Sequence, residues 1–468
     1  MTERLQAGTV IAGYRVVERV HQGGMAMIYR VAPEGGGHGC VLKTPRLEFG
    51  SHPTCSAGFD VEQMILGRLA GPHVPRLIAS GEEDAVPYLV IEQIGGTSLA
   101  EIAREAPRPV EEVARLGAAL ALALHELHRQ DVVHHDIKPA HVFFRADGQV
   151  VLIDFGLAFH GQLPDLVAAE SDRPMGTPAY MAPEEILGVR GDPRSDVYSL
   201  GVILYLLATG SLPFGAPTSN VRLRWRLYGD PLPPRRLRRE LPEWLQEIIL
   251  HCLERRVEDR YATAAHVADD LVHPHQVVVG ERGRHLRRAG PWTVLSRWFA
   301  AIAERPVACR RPSAHLTQAP QVLVAIDLDH GGEALMQALR VAAGRLVAGE
   351  PHWRLTCVTV IEPSILTEQD EHHELTQALH TQSLVKLHHW AQPLIRHLGA
   401  QPERLRFHVI LAGSPAQALV DYARAVQADH MVMGARGSSS LRRFLGSVSA
   451  RVVAEAPCSV TVVRTSVA

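Results

Sequence analysis

Asp136, Lys138 and Asp154 are the residues of this chain whose types and spacing best suit chemistry. Asp136 stands two positions before Lys138, and Asp154 follows eighteen residues after Asp136, behind the apolar run Val150-Val151-Leu152-Ile153. Two carboxylates and an ammonium in this order fit phosphoryl transfer. One carboxylate accepts the proton of an incoming hydroxyl, the other holds a metal ion, and the ammonium neutralises charge on the moving group. The stretch Val133–Gly156 that carries them also contains His134, His135 and His141. A zinc cluster of these three is a poor reading, because no cysteine or fourth ligand lies at a standard spacing.

Several elements must position this stretch. Tyr14–Val20 reads as a strand that runs into His21-Gln22-Gly23-Gly24-Met25-Ala26, and a second strand follows. Cys40-Val41-Leu42-Lys43 reads as another strand, with a lysine inside an apolar run that must be either snorkelling or paired. Phe59, Glu62, Leu66 and Leu69 recur at helical spacing, which puts Glu62 on a face where it can meet Lys43. Tyr88–Gly96 is a strand stopped by two glycines, and Val110–Arg129 is a long helix rich in alanine and leucine. Val197–Ala208 is the longest apolar run, too short to span a bilayer and suited to a buried helix.

In this order the motifs resemble those of bacterial eukaryotic-like (Hanks-type) Ser/Thr protein kinases. Gly176-Thr177-Pro178-Ala179-Tyr180-Met181-Ala182-Pro183-Glu184 closely matches that family's substrate-docking loop, and the threonine at 177 is of the Ser/Thr type. The resemblance implies a two-lobed α+β kinase fold over residues 1–272, with ATP and Mg²⁺ (or Mn²⁺) as cofactors and a protein Ser or Thr hydroxyl as acceptor. It makes Asp136 and Lys138 catalytic and Asp154 and His141 the metal ligands. It assigns Gly23, Gly24, Ile28, Val41, Lys43, Glu62, Glu92, Ile94 and Phe143 to the nucleotide. Within that set Lys43 pairs with Glu62, the Glu92 carbonyl and Ile94 amide meet the adenine edge, and Ile28 and Val41 sandwich the ring. Asp196 braces the catalytic loop, Arg260 pairs with Glu184, and His134 lies under Phe155.

The chain departs from the family at several positions. His21 and Ala26 stand where glycines are usual, and His141 replaces an asparagine. Imidazole suits Zn²⁺ or Mn²⁺ better than Mg²⁺, which prefers oxygen. His135 replaces the arginine that receives an activation-loop phosphate, so phosphorylation of Ser171, the only serine or threonine in Leu157–Met175, is expected to matter less. The lysine content argues for retained chemistry. Of 48 basic side chains only Lys43, Lys138 and Lys386 are lysine, and two of these occupy positions where the family needs one. Free exchange of Lys and Arg would place them so in roughly one chain in 400.

Residues 273–318 read as a basic, solvated linker with a local helix, or else as a membrane-surface or interdomain contact, bearing Arg282, Arg284, Arg287, Arg288, Arg297, Arg305, Arg310 and Arg311 around Trp292, Leu295, Trp298, Phe299 and Ile302. From Gln321 strands and helices alternate, as in a doubly wound parallel α/β sheet. Ala325-Ile326-Asp327, Gly413-Ser414-Pro415, Met433-Gly434-Ala435-Arg436-Gly437-Ser438 and Leu445-Gly446-Ser447-Val448-Ser449 resemble the universal stress protein family. The resemblance implies a Rossmann-like domain over 319–468. It would bind a second ATP through Asp327, Gly434, Gly437, Gly446 and Ser447, act as a nucleotide or stress sensor, or form a homodimer. Eight residues separate Gly437 from Gly446, one fewer than is usual there. The histidines at 372, 373, 380, 388, 389 and 397 are irregularly spaced and are assigned to solvent.

A length of 468 residues predicts two or three domains, and a net charge of −2 gives no reason to expect nucleic acid. Six scattered cysteines without CxxC spacing, and an N-terminus without an apolar core, point to reduced thiols, no signal peptide, no transmembrane segment and a cytoplasmic protein. Two further readings stand beside the kinase. One is a pseudokinase scaffold that binds ATP without turnover, motivated by His21, Ala26 and His141. The other is an ATP-binding stress protein with a vestigial kinase domain.

Overall fold

The computed structural model describes residues 5–22, 26–36, 39–45, 54–83, 86–170, 174–303, 311–328, 331–362, 369–399, 401–435 and 446–464. The chain divides into two compact units, Met1–His275 with Val279–His315 and Gln276–Val278 with Leu316–Ala468.

The first unit opens with a six-stranded antiparallel sheet. Its strands run in the order Val10–Ile11, Tyr14–Gln22, Ala26–Pro33, Cys40–Pro45, Val86–Glu92, Leu77–Glu83. Alternation along these strands sorts the side chains. Met27, Tyr29, Val31, Cys40, Leu42 and Val90 close one face into a core. Ile28 lies directly across from Lys43, and Val41 is two residues earlier on the same strand, so all three share the other face. The helix Thr54–Leu66 follows, with Phe59, Val61, Ile65 and Leu66 buried.

The second half of this unit is mainly helical. Val110–Arg129 carries Glu111 and Glu112 in its first turn and His128 and Arg129 in its last, the order that complements a helix dipole. It packs against Arg194–Thr209 and Ala264–Val272. The approach is close at Gly117, where a Cβ would come within 2.4 Å of Leu204 Cδ2 and 3.0 Å of Leu271 Cδ1. Three short strands, Thr97–Ser98, Val142–Phe144 and Val150–Leu152, pair antiparallel, and Val132–Val133 pairs with Phe159–His160.

His125, on the long helix, is buried and neither ring nitrogen has a hydrogen-bond partner among the described residues. Burial first, then the nearby His128 and Arg129, push its imidazole down to about 3. In the unfolded chain the same ring takes a proton near 6.5. The unfolded state therefore holds more protons as the pH falls below that value, and folding stability is lost from there down to about 3. At pH 5 the loss from this group is about 2 kcal/mol. Urea unfolding at pH 7.5 and pH 5 should show a stability gap that His125→Leu narrows by about this amount. An unchanged gap would refute the assignment.

The stretch that reads as a linker forms the helices Glu281–Arg284, Pro291–Ala303 and Pro312–Thr317. Its first part is captured by the helix Glu243–Cys252. Buried Glu247 accepts from the amides of Gly280 at 2.9 Å and Gly283 at 2.7 Å, and Gln246 Nε2 donates to the Arg282 carbonyl at 2.8 Å. Further along, Arg297 donates to both carboxylate oxygens of Asp230 at 2.8 Å, and the Ser313 amide donates to Asp131 at 2.9 Å.

The second unit is a five-stranded parallel sheet in the order Leu405–Leu411, Arg354–Ile361, Gln321–Ala325, His430–Gly434, Ser459–Val463. This is the doubly wound α/β architecture, with the strand order reversing between Gln321–Ala325 and His430–Gly434. Alternation again sorts the core. Val322 and Val324 pack toward Leu339, Ala343, Trp390 and Leu394 on one face, and Leu323 and Ala325 toward Leu419, Val420 and Val452 on the other. Among the described residues Cys40, Cys252, Cys357 and Cys458 form no disulfide. No described helix is long and apolar enough to cross a membrane.

Candidate functional site

One buried carboxylate supports the loop that carries Asp136 and Lys138. Asp196, in the first turn of Arg194–Thr209, accepts from the amides of His134 at 2.9 Å and His135 at 3.0 Å, and from His128 Nε2 at 2.9 Å. Burial alone would raise its carboxyl. The bond from His128 and the nearby imidazoles outweigh burial and hold it below the usual carboxylate range. Directly after these two amides His135 adopts a φ of 61°, an uncommon conformation for a residue with a Cβ. His134 is fully buried, its ring centroid 4.9 Å from that of Phe155, with Nε2 3.1 Å from the Ile153 carbonyl.

On this support Asp136, Lys138 and Thr177 form a closed triangle. Asp136 Oδ1 accepts from the Thr177 amide at 2.9 Å and hydroxyl at 2.7 Å, and Asp136 Oδ2 accepts from Lys138 Nζ at 2.8 Å. Lys138 Nζ also donates to Thr177 Oγ1 at 2.8 Å. Behind it Lys43 Nζ meets Glu62 Oε1 at 2.6 Å, both buried. Burial pushes both groups toward neutrality. Contact with Glu62, and the Asp154 carboxylate beyond it, keep Lys43 protonated, so the two form an ion pair.

His141 occupies the space between the two aspartates. Its Nδ1 lies 3.0 Å from the Asp136 carbonyl and its Nε2 3.2 Å from Asp154 Oδ2. Both neighbours are acceptors, so a neutral ring can satisfy only one of them. Burial, opposed by Asp154 and Asp136, pushes the imidazole down to about 4, which leaves it neutral near pH 7. With the proton on Nε2 the ring donates to Asp154; with the proton on Nδ1, satisfying the Asp136 carbonyl, the Nε2 lone pair faces the carboxylate. Asp154 adopts a φ of 69° and its side chain is 44% exposed. Burial works against ionisation there, yet Lys43 and then His141 hold the carboxyl below its usual range. A lone pair facing a carboxylate oxygen at 3.2 Å is unfavourable alone. It becomes favourable with a cation between them, because neighbouring ligands on one octahedral ion lie about 3 Å apart. The donor set therefore fits a divalent metal.

Two contacts organise the segment after Asp154. His135 Nδ1 donates to Glu185 Oε1 at 2.8 Å, and its Nε2 accepts from the Gly191 amide at 3.0 Å. The other oxygen of Glu185 accepts from the Ala182 amide at 2.6 Å. Both ring nitrogens are thus engaged inside the protein. Arg260 forks onto Glu184 with two bonds of 2.7 Å, and the Ser195 hydroxyl donates to the same carboxylate at 2.6 Å. This geometry is bidentate and buried, the arrangement in which an arginine–carboxylate pair is most directional.

Where Val86–Glu92 ends, Val41 pairs with Ile91, and Glu92 is the last residue of the strand. Gly96 has a φ of 127°, and a Cβ there would fall 2.1 Å from the Phe144 carbonyl oxygen, so only glycine fits. Phe143 pairs with Ser98 beneath this turn, and Ile28, Val41, Ile94 and Phe143 are all half-buried. The Glu92 carboxylate is held by Arg145 at 2.7 Å. In the second unit, at the switch point, Asp327 lies two residues past the strand Gln321–Ala325 and Gly434 is the last residue of His430–Gly434, and Gly446 caps the helix Ser447–Glu455. Gly23, Gly24, Gly437 and Ser171 lie outside the described residues.

The sequence pattern brought together Lys43 with Glu62, Asp136 with Lys138, and Asp154 with His141. It missed His128 and Glu185. Neither had a local signal, since their partners lie 68 and 50 residues away.

The two-lobed fold brings a buried Lys43–Glu62 pair, Asp136 beside Lys138, and Asp154 beside the His141 imidazole into one site, a layout suited to phosphoryl transfer. The protein kinase domain model matches residues 14–272, and the universal stress protein family model matches residues 320–464. The chain belongs to the protein kinase family and carries a C-terminal universal stress protein domain. It is 28% identical over 259 residues to a probable serine/threonine-protein kinase of Clostridium perfringens, covering 55% of this chain and 38% of the relative. It is 27% identical over 266 residues to another from Clostridium acetobutylicum, covering 56% and 40%. It is 28% identical over 277 residues to the serine/threonine-protein kinase PksC of Streptomyces coelicolor, covering 57% and 50%. The matched stretch thus spans half or less of these relatives' length.

Proposed function

We propose that the chain is an ATP-dependent serine/threonine protein kinase, with catalytic machinery in residues 1–272 and a C-terminal nucleotide-responsive or pairing domain in 319–468. The observation that carries this reading is the Asp136–Lys138–Thr177 triangle beside a formed Lys43–Glu62 pair. Asp136 accepts the proton of a substrate Ser or Thr hydroxyl, and Lys138 neutralises charge on the γ-phosphate. Lys43, fixed by Glu62, holds the α- and β-phosphates. Gly23 and Gly24 cover the phosphates, and Ile28, Val41, Glu92, Ile94 and Phe143 take the adenine. Asp154 and His141 would hold the metal, which would neutralise charge on the phosphates when bound. Asp327, Gly434, Gly437, Gly446 and Ser447 form a second nucleotide site in the C-terminal domain, with Gly446 heading a helix N-terminus. The names of the relatives support Ser and Thr as acceptors.

The direct test is radiolabelled phosphate transfer from ATP to the purified full-length chain, with Mg²⁺ and separately with Mn²⁺. Incorporation is expected with at least one of them. A second reading, a scaffold that binds nucleotide without turnover, is favoured by His141 in place of an oxygen ligand. ATP binding by calorimetry with no incorporation under either metal would establish that reading and remove the kinase.

A further inference from the structure

The helix Pro291–Ala303 has an inverted polarity. Trp292 (81% exposed), Leu295 and Phe299 (61% exposed) face solvent at i, i+3 and i+7, which is one side of a helix. Its only charged side chain, Arg297, is tied to Asp230 on the body of the first unit. A surface helix normally turns its apolar face inward and its charges outward. Trp298 and Trp225, both partly exposed, continue the apolar surface across a groove of about 460 Å³ that Tyr228 and Val294 also line. Large exposed aromatic patches mark interaction sites.

The surround is cationic. Arg284, Arg287 and Arg288 precede the helix, and Arg222 and Arg224 lie just before Trp225; Arg288 lines the groove itself. None of these five pairs with a carboxylate among the described residues. The acid within the patch, Asp230, is already taken by Arg297. Aromatic side chains flanked by unpaired guanidinium groups match the boundary of a bilayer, where rings enter the acyl edge and arginines meet phosphodiesters. A symmetric contact with a second copy would instead set five like charges against their own images.

We propose that this patch docks the chain peripherally on an anionic lipid bilayer, with Trp292 and Phe299 inserted and Arg287 and Arg288 on headgroup phosphates. The helix lies in the plane of the surface. The proposal is independent of phosphotransfer.

The test is co-sedimentation of the full-length chain with phosphatidylcholine vesicles, with and without about one third phosphatidylglycerol. Binding is expected only to the anionic vesicles, weakening as salt rises. Trp292→Ser with Phe299→Ser, and Arg287→Glu with Arg288→Glu, should each reduce the bound fraction about tenfold or more. These side chains are exposed, so the thermal unfolding midpoint should be unchanged and a folding defect would be visible. Equal binding to neutral vesicles, no binding to either, or binding untouched by both pairs of substitutions overturns the proposal. A dimer in sedimentation velocity that Trp292→Ser with Phe299→Ser dissociates, without vesicle binding, assigns the patch to a second copy instead.

Discussion

Asp136→Asn is expected to lower the rate of phosphate transfer by about two to four orders of magnitude, the range of general-base contributions. Nucleotide affinity should stay within about threefold, because the substitution leaves the Lys43–Glu62 pair intact. The asparagine keeps the shape of the side chain but cannot accept a proton. It also cannot satisfy its neighbours. Oδ1 now accepts two bonds from Thr177 and Oδ2 accepts from the Lys138 ammonium, so an amide nitrogen on either side meets a donor. The loss should therefore appear in kcat, measured by single-turnover transfer to a peptide, with ATP affinity measured separately by calorimetry. A variant that keeps more than about a tenth of the wild-type rate would remove Asp136 from the proton-accepting role.

The second large effect concerns the metal. Imidazole nitrogen favours Mn²⁺ over Mg²⁺ relative to an oxygen ligand. The native chain is expected to bind Mn²⁺ and to transfer phosphate better with it than with Mg²⁺. His141→Asn should restore an oxygen ligand and shift the Mn²⁺/Mg²⁺ preference toward Mg²⁺ by about 10–100-fold. A readout independent of turnover is the electron-spin-echo spectrum of bound Mn²⁺, where the directly bonded ring gives a nitrogen modulation that His141→Asn abolishes. The Asp136 carbonyl holds Nδ1, so Nε2 is the nitrogen that should couple. Identical metal preference in the two proteins, together with no nitrogen signal in the native one, would show that His141 is a packing residue.

Much of this site is legible in the sequence because the chemistry fixes both residue type and spacing. Asp136, Lys138 and Asp154 sit on one short loop–strand–loop unit. Lys43 stands out as an ammonium inside an apolar strand, and Glu62 falls on the helical face toward it. The parallel sheet of the second unit is legible for a related reason. Its strands are buried on both faces and read as continuous apolar runs such as Val322–Ala325. Legibility fails where a partner is distant or is main chain. The bond from His128 to Asp196 joins the end of one helix to the first turn of another, and either residue alone looks like an ordinary terminal side chain. The capture of 280–285 by Gln246 and Glu247 uses backbone amides and carbonyls, which every residue offers and no sequence pattern marks. The arginines of that stretch suggest a solvated segment, and the bonds that fix its first part lie on a helix more than thirty residues earlier.

His135 carries a consequence for how such a domain can be silenced. An arginine at this place is left short of a partner until an acidic ester arrives, and a phosphatase can take that ester away again. Here the ring already spends both nitrogens, one on Glu185 and one on the Gly191 amide. The stretch from Ala182 to Gly191 is therefore tied down by groups encoded in the chain. A hydrolase acting on phosphate esters has nothing to remove from His135. Reversal must come from something that competes for a buried hydrogen bond, and it would be read out as a conformational equilibrium rather than as a change in covalent state.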